Sequence, residues 1–477
     1  MVDIAEMWQN KKTLEEVNNV SYFSEGEIVS TGVRSRDSLS EVVPELDLLD
    51  RTLKYRGVMQ FETSRGCTHA CSFCPRAHKG TWDSGEAEIL VKIMPHVARV
   101  FEEHPNTAKK IFLLDEEFIG KDEDNLTEQR IKDICNALTE YGFTFESSAR
   151  IDQVYNPDKD AGWHVKRMEL WDFLKANGMD RMLFGIESGV DSVLNRFNKR
   201  TTGKQNELGI RMLSSLGVPY RFTYITFDPL MNMSELIDTY KFQGRRDLIL
   251  RDTDVRGSEL FNKIQDNDYA THNSLGEPLY RQISYMLVSM ECLLGSNYLR
   301  MAEQQDLDGD VCLSMGRKNV DYLDARIGLM SGCSQMWIDR NFALDYFLKS
   351  VEKVSSPLVR DEVRELRKSL KDAAYSLLGI MLSIINADIS LINNLELSSS
   401  IFELVEKAMK EWKKCSNEIE QKELFFRVMD SLFSELVVSF KVELEKIRVM
   451  LPKVDSSNLD IEINRWENTK EWNLINN

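Results

Sequence analysis

Between Gly57 and Phe227 the chain alternates short apolar runs with longer stretches whose apolar residues recur at helical spacing. The runs predict strands over residues 58–63, 110–114, 143–147, 181–186 and 220–227. The stretches between them predict helices over 87–103, with a kink or late start at Pro95, over 125–141, over 163–177 stopped by Gly178, and over 204–216 stopped by Gly217. Strand and helix in strict alternation mean a parallel sheet with helices packed outside it. Right-handed crossovers roll such a series into a partial or full β/α barrel, with function gathered at the C-terminal ends of the strands.

Beyond about residue 235 the pattern becomes helical. Residues 279–301 are rich in Met, Tyr and Leu and predict a packed helix, and 360–395, 400–414 and 418–451 predict long ones. In the last, Leu424, Val428, Leu432, Leu436 and Phe440 form one stripe. The expected organisation is an N-terminal extension over 1–56, an α/β barrel core over 57–260 and a mainly helical C-terminal region over 261–477 that covers the active site. The tail after Pro452 is expected to be loosely ordered.

Composition narrows the function classes. Asp and Glu outnumber Lys and Arg by 77 to 60, a formal charge of -17, which argues against a nucleic-acid substrate. Arg245, Arg246, Arg251 and Arg256 are interleaved with Asp247, Asp252 and Asp254, the pattern of a solvated mixed-charge face. The N-terminus lacks a basic region followed by an apolar one, and the longest apolar stretch, 377–385, is too short to span a bilayer. A cytoplasmic protein, not membrane-bound, is expected.

Candidate chemistry lies at the strand ends. After the first strand comes ETSRGCTHACSFCPRAHKG, residues 62–80, in which Cys67, Cys71 and Cys74 stand in a C-x3-C-x2-C spacing. That spacing aims three thiolates at three corners of one iron-sulfur cube and leaves the fourth iron open for an outside chelate. The competing reading is a zinc loop completed by His69 or His78, but no second short clip of ligands exists in the sequence. Cys292, Cys312 and Cys333 show no paired spacing that would support an auxiliary cluster, and Cys135 and Cys415 read as small apolar residues on helices. Asp115, Glu116 and Glu117 end the second strand and offer acceptors for an ammonium group. Ser148 and Arg150 follow the third and offer a donor and a cation for a carboxylate. The run Gly185-Ile186-Glu187-Ser188-Gly189 ends the fourth, its glycines permitting close approach of backbone to a flat ring. Asp228 ends the fifth, fixed by Pro229.

The cysteine spacing, its place after an apolar strand and Phe73 before the last cysteine resemble the radical S-adenosylmethionine (radical SAM) superfamily. The resemblance implies one [4Fe-4S] cluster, S-adenosyl-L-methionine as cofactor, and an external electron donor of flavodoxin or ferredoxin type. It further implies that the acidic run at 115–117 stands where the family often has Gly-Gly-Glu, and that the GIESG run lines the adenine and ribose. The lead-in ETSRGC and the stretch YITFDPLMNMSEL resemble the branch acting in aminoglycoside and nucleoside antibiotic biosynthesis, which includes the apramycin-pathway diol dehydratase and the cytosylglucuronate decarboxylase. Many chains with that lead-in carry a Rossmann-like cobalamin unit ahead of the cluster, a unit of well over ~100 residues. The 56 residues here are too few, so no cobalamin is expected.

What the resemblance implies for function is a sugar-bearing small molecule, aminoglycoside- or nucleoside-like, held in an acidic pocket. Hydrogen is abstracted by a 5'-deoxyadenosyl radical, followed by dehydration, with Asp228, Glu187 or His78 as acid or base. Decarboxylation, epimerisation and peptide modification are the alternative outcomes, and a non-catalytic metal-binding protein is the alternative class.

Overall fold

In the computed structural model, all residues are described except 1, 26, 33–42, 56, 77–79, 86, 122–124, 355, 452 and 469–477. The chain divides into two compact units, Met1–Glu45 and Leu46–Asn477. The first holds a short helix, α1 (Val2–Trp8), and an antiparallel hairpin of β1 (Ser21–Ser24) and β2 (Glu27–Ser30).

The second unit is built on a five-stranded sheet. After α2 (Leu49–Lys54), strand β3 (Met59–Phe61) leads into a hairpin of β4 (Ser64–Cys67) and β5 (Thr81–Ser84). Then follow α3 (Ala87–Glu102), β6 (Lys110–Leu113), α4 (Asn125–Thr139), β7 (Thr144–Arg150), α5 (Ala161–Ala176) and β8 (Met179–Glu187). The series ends with α6 (Asp191–Arg196), α7 (Gly203–Ser215) and β9 (Tyr220–Tyr224). Strands β3, β6, β7, β8 and β9 are neighbours in chain order and every pair is parallel, as strand-helix alternation requires. Helix α3 runs unbroken through Pro95. Val91, whose carbonyl loses its partner to that proline, is exposed, so solvent can serve the carbonyl instead.

Period-two alternation gives the sheet two unlike faces. Ile111, Leu113, Phe145, Met182, Phe184, Ile186 and Phe222 are buried beneath the helices. The opposite face carries Lys110, Glu146, Ser148, Arg150, Arg181, Gly185, Arg221 and Thr223, and it is the inside of a partial barrel.

The chain then runs through α8 (Met233–Gln243), α9 (Gly257–Lys263) and α10 (Asn267–Asn273). The helix expected over 279–301 does not form. A short 3-10 turn at Leu279–Gln282 passes into extended chain that bridges β9 in parallel, Phe222 to Ile283, and continues to Phe227 with Ser289, before α11 (Asn297–Glu303). The sheet's last edge captures this segment because the backbone groups there would otherwise lack partners. A small hairpin follows, β10 (Gly309–Cys312) with β11 (Arg317–Val320).

The remainder is helical: α12 (Ala325–Val354), α13 (Pro357–Asn386), α14 (Ser399–Trp412), α15 (Glu418–Leu436), α16 (Val438–Met450) and α17 (Lys453–Asn468). The stripe Leu424, Val428, Leu432, Leu436 and Phe440 is buried, although the single helix expected there breaks at Val437. The tail after residue 452 is helical as far as Asn468, not loosely ordered. No described helix is long and apolar enough to cross a membrane.

Helices α12 and α13 close the barrel's open side, with α13 clamped to α8 by stacked rings. Tyr375 lies between Tyr240 and Tyr280 with centroids 4.5 and 4.2 Å away. The Tyr375 hydroxyl donates to the Tyr240 carbonyl (3.2 Å), and the Tyr240 hydroxyl to that of Leu391 (2.9 Å). The clamp closes only because Gly379 lets Tyr240 approach: a Cβ there would lie 2.5 Å from the Tyr240 oxygen. Gly379→Ala gains about 1 kcal/mol of helix propensity. Displacing a ring held on both sides costs more, about 1–3 kcal/mol. The variant should therefore unfold at lower denaturant than the parent, and an unchanged or higher midpoint would show that the stack does not hold the helices.

Candidate active site

The cysteine loop is the connection of the β4–β5 hairpin, closed at its base by the pair Cys67 and Thr81. The buried carboxylate of Asp115 places it. Asp115 accepts the N–H groups of Thr63 (2.7 Å) and Ser64 (2.8 Å) and a short hydrogen bond from the Thr63 hydroxyl. Arg130, sandwiched between Trp82 and Phe118, adds bonds to the Thr63 carbonyl (3.2 Å) and hydroxyl (3.1 Å). The far side of the loop docks on the end of α6. The Ser72 N–H donates to Phe197 O (2.8 Å), its hydroxyl to Arg196 O (2.8 Å), and Asn198 to Ala70 O (2.7 Å). Phe73 meets the Phe197 ring edge-on at 5.6 Å.

Arg150, from the end of β7, faces the thiols. One guanidinium nitrogen lies 3.8 Å from Cys71 Sγ, another donates to Lys199 O (2.9 Å), and Nε donates to Asp152 (3.0 Å). Burial works against its charge, but Asp152 and the thiols of Cys71 and Cys67 keep it firmly protonated. Burial pushes the Cys67 thiol up, with Arg150 opposing. His69 is turned away from the cysteines, with Nε2 3.2 Å from Asp152 and Nδ1 3.0 Å from the Thr68 hydroxyl. Among the described residues no group of three His, Cys, Asp or Glu surrounds a single point as a lone metal ion requires. A cube makes the opposite demand, because its ligands stand at separate corners. A three-cysteine loop facing a buried cation fits an anionic cluster better than a zinc ion. His78 lies outside the described residues.

The acidic run at the end of β6 separates into three roles. Asp115 is consumed in fixing Thr63 and Ser64. Glu117 is fully buried and accepts the N–H groups of Arg150 (2.8 Å) and Ile119 (3.1 Å); burial, then the charge of Asp152, pushes its carboxyl up to about 8. Glu116 alone keeps part of its side chain exposed, ion-paired with Arg76 from the cysteine loop.

Glu187 ends β8 at a bulge with φ +59°. Its Oε1 accepts the Thr223 hydroxyl (2.9 Å) and Lys199 Nζ (3.2 Å). A side chain at Gly185 would collide with this group, its Cβ 2.7 Å from the same oxygen, so glycine here makes room for the Glu187–Lys199 pair. Gly189 serves a different purpose than close approach to a ligand: the space a side chain would need is filled by the Phe242 ring. Ser148 shares the inner face of β7 with Glu146 and Arg150.

Asp228 stands apart from this group. Its buried carboxylate takes Arg196 Nη2 (2.6 Å) and the Leu230 N–H (3.0 Å), while Arg196 also grips Glu235 (2.9 Å), which completes the capping box of α8 with Asn232. Its carboxyl is pushed up by burial despite Arg196. It ties α6 to α8 and does not line the barrel cavity.

That cavity, about 930 Å³, lies between the inner sheet face and helices α12 and α13. It is not the acidic pocket expected from the sequence. Nine of its lining residues are Lys or Arg and four are Asp or Glu. Whole-chain composition hid this because the basic positions are scattered, three on separate strands and six on the 3-10 turn and helices α12 and α13.

A profile of the Radical SAM superfamily matches residues 61–242. The 4'-phospho-dehydrooxetanocin synthase of Priestia megaterium is 34% identical over 406 residues, 81% of this chain and 54% of the relative. The chain thus spans about half the length of that curated relative. Solved structures of the cobalamin-dependent S-adenosylmethionine radical enzyme OxsB superpose with a TM-score of 0.80 at 30% identity. The form with aqua-cobalamin matches over 98% of this chain and 66% of its own, and the form with aqua-cobalamin and S-adenosylmethionine over 99% and 67%.

These neighbours overturn the expectation that no cobalamin is involved. A fold matching nearly all of this chain occurs in a protein with cobalamin bound, and about a third of that protein's own length lies outside the match. The order of the parallel strands, the cysteine loop raised above their C-terminal ends and the matches over this same region agree, and the chain belongs to the radical SAM superfamily.

Proposed function

We propose that this chain binds a [4Fe-4S] cluster and S-adenosyl-L-methionine and acts as an enzyme on a nucleoside-related small molecule, with cobalamin as a further cofactor. The observation that carries the reading is the convergence of Cys67, Cys71, Arg150 and the Glu187–Lys199–Thr223 group at one edge of the parallel sheet. When bound, cluster and S-adenosylmethionine supply a one-electron reductive cleavage that yields a 5'-deoxyadenosyl radical.

The protein's own residues do the positioning. Cys67, Cys71 and Cys74 hold three corners of the cube. Arg150 balances its negative charge from below, and the hairpin base fixes the loop's height above the sheet. Glu116 is the carboxylate of the acidic run assigned to the methionine ammonium, since part of its side chain is exposed beside Arg76 whereas Asp115 and Glu117 are buried on backbone N–H groups. The Glu187 carboxylate, steadied by Lys199 and Thr223, is placed for ribose hydroxyls. Helices α12 and α13 keep bulk water from the barrel interior, which a carbon radical requires. The nucleoside class rests on the likeness to the 4'-phospho-dehydrooxetanocin synthase at 34% identity, and dehydration after hydrogen abstraction is the outcome proposed.

Anaerobic reconstitution with iron and sulfide should give about four irons per chain. Reduction in the presence of S-adenosylmethionine should then release 5'-deoxyadenosine. Cys71→Ala should lose most of the iron and the cleavage while keeping the parent's circular dichroism, and cleavage at the parent rate would refute the cluster assignment. Equilibrium dialysis with aqua-cobalamin should show saturable uptake, and absence of uptake together with full turnover in its absence would remove cobalamin from the reading. Loss of eighteen mass units from a nucleoside substrate, about one water, would mark dehydration, and any other product mass would replace it.

A further inference from the structure

Three of the nine cations that line the barrel cavity stand apart from its ion pairs. Lys110 and Arg181 share Glu146, and Lys110 also meets Asp180; Arg364 and Arg367 share Glu352 and meet Asp361 and Asp345 in turn; Arg281 is paired with Asp372, and Lys368 with Glu277 and Glu365. Three lining cations remain that meet no carboxylate within ion-pair distance among the described residues: Arg221 on β9, Lys349 on α12 and Lys371 on α13. Arg221 donates to the Gln282 side chain (2.6 Å), Lys371 to the carbonyls of Arg281 (2.8 Å) and Ile283 (2.5 Å), and Lys349 lies over the Tyr285 ring at 5.8 Å. All are neutral contacts. Each of the three groups also has its pKa lowered, first by burial and then by neighbouring arginines: Arg181 and Arg367 act on both Arg221 and Lys349, and Arg221 and Arg367 on Lys371. Assembling like charges away from water is costly unless an anion joins them.

The cluster also has a direction. Arg221 and Thr223 point to the same face of β9, two residues or about 6.6 Å apart along the strand. Thr223 lines the cavity and donates to Glu187 at the C-terminal edge, so the cavity runs from the cationic cluster to a residue bonded to the proposed radical site.

We infer that this cavity anchors the phosphate groups of a phosphorylated nucleoside, with Arg221, Lys349 and Lys371 as the phosphate ligands and the sugar lying between Arg221 and Thr223, an assignment that deepens the functional reading above. A guanidinium supplies a two-pronged contact, and the two ammonium groups supply point charges from the facing helices. Anchoring at the floor of the barrel fixes which sugar carbon is presented at the edge, so these residues set both affinity and the position of attack.

The test does not need cluster, cofactor or turnover. Binding of inorganic pyrophosphate to the chain as purified is measured by calorimetry at fixed ionic strength. Saturable one-site binding is expected, weakened at least tenfold in Arg221→Gln and in Lys349→Gln, and unchanged in Lys407→Gln on the outer surface. Lys349→Gln keeps the proposal testable if the β9 variant does not fold. A nucleoside 5'-monophosphate should displace pyrophosphate at much lower concentration than the unphosphorylated nucleoside. No binding by the parent, or equal binding by parent and both cavity variants, overturns the anchor. Equal displacement by nucleoside and nucleotide overturns the assignment of the phosphate to the substrate. If pyrophosphate binds as expected and no nucleotide stimulates 5'-deoxyadenosine release, the functional reading fails while the anion site stands. If nucleotides stimulate release but Arg221→Gln leaves the preference for phosphate untouched, the anchor fails and the reading stands.

Discussion

The carboxylate of Asp115 is the contact on which the site depends. It sits at the end of β6, fully enclosed, and takes the N–H groups of Thr63 and Ser64 where the chain leaves β3. Burying a carboxylate costs several kcal/mol unless its oxygens are satisfied, and three donors from two consecutive residues satisfy it only if the chain turns there. The turn ends β3 after three residues and lifts the chain into a hairpin, so the cysteines overhang the sheet. Everything that faces them follows from that height: Arg150 from β7 reaches Cys71, and Ser72 reaches the end of α6.

Much of this architecture was legible in the sequence because strand and helix periods differ and the breakers Gly178 and Gly217 fall where helices stop. The five strands of the sheet lie within a few residues of their expected positions. The segment 279–301 misled because Met, Leu and Tyr fill a buried strand as readily as a helix. Ile283, Leu287 and Met290 are all buried, but the edge of β9 decides the backbone, and that edge is a tertiary fact. The break at Val437 is similar, since the apolar stripe continues across it. In the site, residue types showed that carboxylates stood at strand ends but not which of them the protein itself uses. Asp115, Glu117 and Asp228 are buried and accept backbone N–H groups, whereas Glu116 meets the Arg76 side chain and Glu187 those of Lys199 and Thr223. Only the folded geometry separates these from Glu116 and Glu187.

The cobalamin expectation failed for a different reason. It rested on counting residues before the first cysteine, an argument about where a binding unit is encoded. The neighbours carry cobalamin on chains of which about a third lies outside the matched part, so a count taken within this sequence does not bear on it.

Net charge misled in a related way. A total of -17 describes the field far from the molecule, where salt screens individual groups within about a nanometre. Inside a barrel with low-dielectric walls, the nearest side chains outweigh that total. Along β6, β8 and β9 the inward-facing positions include Lys110, Arg181 and Arg221, each followed by an apolar residue, Ile111, Met182 or Phe222, that is buried beneath the helices. Reading each strand as two interleaved sequences, one for each face, isolates those three cations. It also shows how an acidic protein can line a cavity with cations: Lys110 and Arg181 are held by Glu146 on the neighbouring strand, while Arg221 turns to a neutral side chain, Gln282.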